Sequence, residues 1–422
     1  MRVLHVGKFL PPFAGGIEYF LADLLPALER RGICTAALVH GDRQNLFGNK
    51  RGEAQLPGSD SAIYSAPCYG RLLYAPVSPS FPFWLARAIR EFGPNLLHLH
   101  VPNTSAFWAL LVPAAKRLPW VLHWHADVVP SQLDRRLAVA YRAYRPLEQR
   151  LIKASRAVIV TSPDYLASSN ALTDWKTKCH VIPLGLDPTR LGDPSRDALT
   201  LANRHWGNAA FRILVVGRLT YFKGHDTLIQ AISEVPGAQV IIVGEGERRQ
   251  SLERLIEALR LASRVDLAGF RGWESADPVL AALFHTCDVV CLPSLERTES
   301  FGLVLLEAMR YEKPVVTTSV PGSGIRWVVS EGEHGVLVAP GDPAALAQAL
   351  RDLSSDPARR QRLGQQGGRR LGDRFHIDRV AQSIDVLYRQ LAPNSGIPAS
   401  HSHGAAVGGR NHPKPSCSNR NT

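Results

Sequence analysis

Short apolar runs separated by helix-length amphipathic stretches recur along almost the whole of this 422-residue chain, and midway the pattern begins again. Such alternation marks βαβ units, because neighbouring parallel strands need a crossover connection, usually a helix. In the first half, Val3–Val6, Thr35–Val39, Leu96–His100, Trp120–His123 and Val158–Thr161 read as strands, with helices over Glu18–Arg31 and Phe83–Phe92. The second series opens with Arg212–Gly217 and continues through Val240–Val243, Val265–Leu267, Val289–Leu292 and Val315–Thr318. A restart predicts two doubly wound sheets rather than one very large sheet. A chain of this length also exceeds what a single core accommodates.

The expected divisions are a first Rossmann-like domain over 1–190, a linker over 191–207 and a second Rossmann-like domain over 208–375. The linker falls in Pro183–Gly207, which is rich in Gly, Pro, Asp and Asn. A last amphipathic helix, Ile377–Leu391, occupies 376–392. The tail 393–422 is Pro, Gly, Ser, His and Asn with almost no large apolar residue, so it is expected to be disordered. Its His401, His403 and His412 read as solvated rather than as a metal-binding tract.

Several function classes drop out early. The six cysteines, Cys34, Cys68, Cys179, Cys287, Cys291 and Cys417, are scattered without zinc-ligand spacing and read as reduced thiols. No leader-like segment precedes the first strand and no apolar run nears ~20 residues, so a cytoplasmic location is expected. The net charge of +12 raises the question of nucleic acid. No zinc finger, RNA-binding aromatic motif or lysine-rich arm supports that, and no nucleic-acid partner is expected. An anionic membrane surface or lipid phosphate suits the charge better. Gln132–Lys153 places Leu133, Leu137, Tyr141, Tyr144 and Leu151 on one helical face, with Arg135, Arg136, Arg142, Arg150 and Lys153 opposite. That basic face is the candidate for peripheral contact with the inner face of the membrane.

Four constellations carry chemistry. Glu299 and Glu307 stand eight residues apart around Ser300-Phe301-Gly302-Leu303-Val304, after the strand Val289–Leu292. If the run between them is helical, the carboxylates are ~12 Å apart, within ~80° of one face, and the helix start offers amides to an anion. In Gly217–Gly224, directly after the first strand of the second series, Arg218 and Lys223 can clamp a diphosphate and stabilise it as it leaves. Gly15-Gly16 permits close approach of backbone to a ligand, without the spacing of a dinucleotide fingerprint. His125, in His123-Trp124-His125-Ala126-Asp127, sits at a strand end where it can bond a sugar hydroxyl or move a proton. His98 and His100 form a second His-x-His pair, but no carboxylate or cysteine completes a metal ligand set.

Together these residues resemble glycosyltransferase family 4, retaining enzymes of the GT-B fold, and the resemblance runs from Arg2 to about Leu391. Pro293-Ser294, which leads into Glu299, and Gly335–Asp342 add to it. It implies two Rossmann-like domains facing a central cleft, the first on the acceptor side and the second holding the donor, with the C-terminal helix crossing back to the first. It implies that Glu299 contacts the donor sugar and Glu307 the ribose. Arg218 and Lys223 would bind the diphosphate, with Gly15 and Gly16 opposite. Ser300, Phe301, Gly302, Leu303 and Val304 would supply backbone amides, and His125 would lie near the sugar. On this reading Glu299, His125, Lys223 and Arg218 are catalytic, and neither metal nor cofactor is needed.

The stretches His98–Asn103, His125–Val129 and Ser162–Leu166 resemble a bacterial mannosyltransferase-like branch acting on surface polysaccharide. That implies GDP-mannose as donor and a saccharide or lipid-diphosphate-linked acceptor. A UDP-sugar transferase of the same family, a nucleotide-sugar 2-epimerase of the same fold and a non-catalytic sugar-nucleotide-binding protein are the alternatives. A phosphorylase-like enzyme would need a pyridoxal-phosphate lysine, for which no site is evident.

Overall fold

The computed structural model describes residues 1–13, 15–41, 56–72, 75–128, 135–269 and 278–391. The tail with its three histidines and Cys417 lies outside the described residues, as do Gln132, Leu133, Val129 and the side chains of Arg135, Arg136 and Leu137.

The first half contains β1 (Arg2–Val6), β2 (Cys34–Gly41), β3 (Ala62–Pro67), the ribbon β4 (Arg71–Leu72) and β5 (Ala75–Pro76), then β6 (Leu96–Val101), β7 (Trp120–Trp124), β8 (Ala157–Val160) and β9 (Cys179–Val181). All but the antiparallel ribbon form one parallel sheet in the order β3-β2-β1-β6-β7-β8-β9. The second half contains β10 (Phe211–Val216), β11 (Ala238–Val243), β12 (Val265–Gly269), β13 (Val289–Leu292), β14 (Val315–Thr318) and β15 (Gly335–Val338). They make a second parallel sheet in the order β12-β11-β10-β13-β14-β15. Strand order reverses beside β1 in one sheet and beside β10 in the other. Loops leaving those strands therefore open a crevice suited to ligands.

Strands covered on both faces are near-continuous apolar runs, and this made β10, β11, β13 and β14 legible. The edge strands β3 and β9 escaped the sequence reading for the converse reason. β3 mixes Tyr64 and Ser65 into its run, and β9 is three partly exposed residues. The polar stretch read as a linker contains an ordered helix, Arg196–Trp206, whose first turn is capped by Ser195 Oγ at 3.2 Å from the Ala198 amide. Trp206 is fully buried and donates from Nε1 to Thr286 Oγ1 at 2.9 Å, which fixes this helix against Pro278–Thr286.

The chain passes between the sheets twice, side by side. Leu186 donates to Phe375 O at 2.9 Å and accepts from the Ile377 amide at 3.0 Å, forming a parallel bridge between Leu186 and His376. The helix Ile377–Leu391 then returns to the first domain and packs on Gly16–Arg30. Arg30 pairs with Asp378 at 2.6 Å and Arg31 with Asp385 at 3.2 Å, while Tyr388 is fully buried against His98. One apolar cluster runs from Val3 and Phe20 through Leu306 to Tyr388, so the two domains share a core at the hinge. Among the described residues no helix is long and apolar enough to cross a membrane.

Candidate active site

Two loops of the second sheet create the site, and a backbone contact locks them together. Gly224 has φ 66°, and a Cβ there would lie 2.0 Å from the Pro293 carbonyl oxygen, so only glycine lets the loop after β10 touch the loop after β13. The Leu295 amide donates to Phe222 O at 2.8 Å across the same junction. Lys223 is thereby brought to Glu299, Nζ to Oε2 2.5 Å, with Ser294 Oγ 3.3 Å from the same oxygen. Ser323 Oγ donates to the Glu299 carbonyl, which fixes the backbone behind the carboxylate. Glu299 is buried, and its carboxylate is held in place by a lysine and a hydroxyl.

The two glutamates do not share a helix. Gly302 adopts φ 78°, and the helix runs only over Leu303–Arg310, so Glu299 belongs to the preceding loop and Glu307 to the second turn. The left-handed backbone makes the break, and a Cβ on Gly302 would come 2.9 Å from Leu292 and Leu305 side-chain carbons, so the position suits glycine. The first-turn amides of a helix have no acceptor within it, so Leu303 and Val304 present theirs at the cleft end. Phe301 sends its ring the other way, edge-on to Phe375 at 5.9 Å in the core. Opposite lies the first domain: a Cβ on Gly16 would stand 3.8 Å from Leu303 Cβ. Gly15 is covered by Glu18, whose Oε2 lies 2.0 Å from where a Gly15 Cβ would be.

Charges converge here from both sides. Burial raises the Glu18 carboxyl, while the cations Lys8, Arg218 and Arg71 oppose that rise. Arg218 is exposed, and its charge acts across the cleft on Lys8 and Glu18. Glu307 is buried, which pushes its carboxyl up to about 7. Its nearest cation is Arg190, 3.9 Å away, which also holds Asp23 at 2.7 Å. Neither Arg190 nor Asp23 figured in the sequence reading. The available signal was Asp23 itself, a carboxylate on the apolar stripe of Tyr19, Phe20 and Ala27.

His125 follows β7 and joins a layer of five buried histidines on one face of the first sheet. His5 Nδ1 lies 3.1 Å from His100 Nε2, and His100 Nδ1 lies 2.9 Å from His125 Nε2. His123 stacks on His125 at 4.2 Å with 1° between the rings. Ligand atoms of His5, His98 and His100, and of His100, His123 and His125, fall within 4.8 Å of one another. Imidazole lone pairs lie in the ring plane, so the nearly parallel rings of His100, His123 and His125 do not aim theirs at one point, whereas His5 is tilted by 38° to His98 and 29° to His100. Hydrogen bonds link only His5, His100 and His125 in this layer, neither ring nitrogen of His123 has a partner among the described residues, and burial pushes His100 down to about 3. No hydrogen bond or ion pair joins His125 or Arg218 to Lys223 or Glu299 among the described residues.

A clasp closes the cleft beside the site. Arg297, two residues before Glu299, pairs with Asp127, two residues after His125, and donates to Ser168 O. Asp127 also accepts from Trp124 Nε1 at 2.7 Å and Ser169 Oγ at 2.8 Å. Ser168 Oγ donates to Gly322 O at 2.9 Å, a second polar link between the domains.

Two parallel-sheet Rossmann-like domains facing a cleft, with a lysine–carboxylate pair at the carboxyl ends of the second sheet, have the architecture of a GT-B glycosyltransferase. Family models agree: "Glycosyl transferases group 1" matches residues 205–370 and "Glycosyl transferase 4-like domain" matches 15–185. The chain belongs to glycosyltransferase family 4 and is a hexosyltransferase. It is 28% identical to O-antigen chain mannosyltransferase C of Escherichia coli, over 93% of this chain and 99% of that one. It is 28% identical to the D-rhamnosyltransferase WbpZ of Pseudomonas aeruginosa, over 86% and 89%, and 35% identical to a glycogen synthase of Mycobacterium tuberculosis, over 71% and 69%. Among solved structures, sucrose-phosphate synthase from Thermosynechococcus elongatus superposes with a TM-score of 0.74 at 25% identity, covering 92% of this chain and 98% of that one.

Proposed function

We propose that this enzyme transfers mannose from GDP-mannose, with retention of configuration, to a saccharide or lipid-diphosphate-linked acceptor in the synthesis of a cell-surface polysaccharide. The observation that carries the reading is the Lys223–Glu299 pair at 2.5 Å, beside the open end of the Leu303–Arg310 helix and opposite Gly16. A buried, fixed carboxylate can accept hydrogen bonds from vicinal sugar hydroxyls. Lys223, Arg218 and the helix amides meet the charge that grows on the departing diphosphate, so no divalent metal is required. The bond from the anomeric carbon to the diphosphate oxygen breaks as the acceptor oxygen attacks from the same face. The departing oxygen takes the acceptor's proton. Glu307 holds the ribose, and His125 approaches the sugar from the first domain. The mannosyl and rhamnosyl activities named for the relatives support a hexose or deoxyhexose donor, and the O-antigen chain named for the Escherichia coli relative supports a surface-polysaccharide acceptor.

A thermal-shift screen with GDP-, UDP- and ADP-sugars tests the donor, since a ligand that binds only the native state raises the melting temperature. Stabilisation by GDP-mannose with release of an α-linked product, undiminished by EDTA, is the expected result. Stabilisation by a UDP-sugar alone would replace the mannosyl reading with a UDP-dependent one. A 2-epimer formed without acceptor would replace transfer with isomerisation. We place the membrane contact on the helix Arg135–Ala154, whose Arg142, Arg150 and Lys153 are exposed while Leu151 is buried. Flotation with anionic but not neutral vesicles is expected, and equal recovery with both would remove the membrane from the picture.

A further inference from the structure

Arg190 lies where three parts of the molecule meet: the crossing segment, the helix Gly16–Arg30 of the first domain, and the helix Leu303–Arg310 of the second. Its guanidinium is 2.7 Å from Asp23 and 3.9 Å from Glu307, and it lies over the Tyr19 ring at 5.1 Å. The segment that carries it is tied down on both sides. The Asp187 amide donates to Asp23 at 3.1 Å, Arg310 donates to Pro188 O at 3.0 Å, and Tyr311 donates to Gly192 O at 3.0 Å. Arg190 is therefore not a wandering surface side chain. It is held between two buried carboxyl groups that come from opposite domains.

We propose that Arg190 is a positioning residue that sets the charge Glu307 presents to the nucleotide ribose, and that Asp23 competes with Glu307 for it. This rests on the reading of Glu307 as the ribose ligand. One guanidinium faces two buried carboxyls, and it stands closer to Asp23. Burial raises Asp23 to about 6 and Glu307 to about 7, and Arg190 opposes both rises. The other groups that act on Glu307 are Lys223, which is committed to Glu299, and Asp23, whose negative charge raises it further. Just past the end of the Glu307 helix, Tyr311 carries a hydroxyl that burial and the Asp193 and Glu307 charges push up to about 12, with Arg310 and Arg190 opposing. Asp187 adds a negative charge near Asp23. A ribose diol donates hydrogen bonds, so it prefers the ionised carboxylate. Nucleotide affinity should then fall as pH drops through the range in which Glu307 takes up its proton.

The test measures GDP and UDP binding from pH 5.5 to 8.5 by calorimetry in wild type, Asp23→Asn, Arg190→Gln, Arg190→Lys and Glu307→Gln, each checked for a native melting curve. For whichever nucleotide binds, affinity in the wild type should fall by up to about tenfold per pH unit below the midpoint. Asp23→Asn should move that midpoint down, Arg190→Gln should move it up, and Arg190→Lys should stay near the wild type. A midpoint unmoved by both Asp23→Asn and Arg190→Gln, while Glu307→Gln weakens binding, would overturn this proposal and leave the donor-site reading standing. Unchanged affinity in Glu307→Gln would instead overturn the ribose assignment. The coupling can also be read without nucleotide, by carbon-detected NMR titration of the Glu307 carboxyl, identified as the resonance lost in Glu307→Gln. There too, opposite shifts in the two variants support the arrangement and no shift refutes it.

Discussion

The two sheets have the same parallel construction and the same reversal beside their first strand, yet they contribute to the cleft in opposite ways. The second sheet is an aliphatic core, with Ile213, Leu214, Val240, Ile241, Val289 and Val290 fully buried, and Lys223 and Glu299 sit on the loops that Gly224 lets touch. The first sheet carries polar chemistry within the strands, with His5, His98, His100 and His123 fully buried among apolar neighbours. On the proposed reading, the second domain concentrates its part in a few residues that a ligand can touch, while the first holds a buried layer whose histidines act on one another electrostatically. Substitutions should accordingly be sharp and local in the second domain, graded and collective in the first.

The largest expected effect breaks the second domain's part. Glu299→Gln and Lys223→Ala should each lower kcat by about 10²–10³-fold with the melting curve little changed. Near-normal turnover in both, assayed with the proper donor, would remove this pair from the site. Next comes the junction that positions the pair. Gly224→Ala would drive a methyl into the Pro293 carbonyl and strain a left-handed residue, and should reduce kcat by about ten- to a hundredfold. Its melting temperature should also drop, and wild-type kinetics would show that the loops need no such contact.

The third prediction concerns the first domain as a whole. His100 is lowered to about 3 and His40 to about 4 in the fold, against 6.5 when exposed, and burial also holds His5, His98, His123 and His125 low. A depressed histidine contributes stability that is present above pH 6.5 and lost as pH falls toward its folded value. The loss is about 1.4 kcal/mol per pH unit for each such ring. The second domain has His225, lowered to about 3, but no comparable layer among its described residues. Hydrogen exchange at pH 5 should therefore show β1, β6 and β7 losing protection before β10, β11 and β13, and simultaneous loss would contradict the contrast. The smallest effect lies between the domains. Arg297→Ala removes the ion pair to Asp127 and should raise the donor KM a few-fold, about 1 kcal/mol, with kcat nearly kept, as steady-state kinetics would show.

The same contrast explains what could be read from the sequence. Val240–Val243, Val289–Leu292 and Val315–Thr318 are strands buried on both faces, and their boundaries match the observed elements to within two residues. Lys223 and Glu299 were legible because each follows such a strand at the end where ligands bind. Glu307 was placed on the correct helix, but the break at Gly302 was missed, since a left-handed glycine reads no differently from one within a helical run. The first domain was harder. β3 and β9 have edge-strand compositions, and the histidine layer depends on the register that sets His5 beside His98 and His100 beside His123. Arg190 and Asp23 are 167 positions apart in sequence and meet only because the chain crosses at Leu186.

That crossing has a mechanical consequence. A single flexible connector would let one domain twist, tilt and slide against the other. Here two backbone segments lie side by side and are hydrogen-bonded through Leu186, and they act like two pins on one door. What survives is a swing about the line that joins them, with translation and torsion suppressed. Points beside the axis, such as Arg190, turn almost in place, while loops further out sweep an arc. The geometry of opening is thus dictated by where the chain crosses, before any substrate arrives.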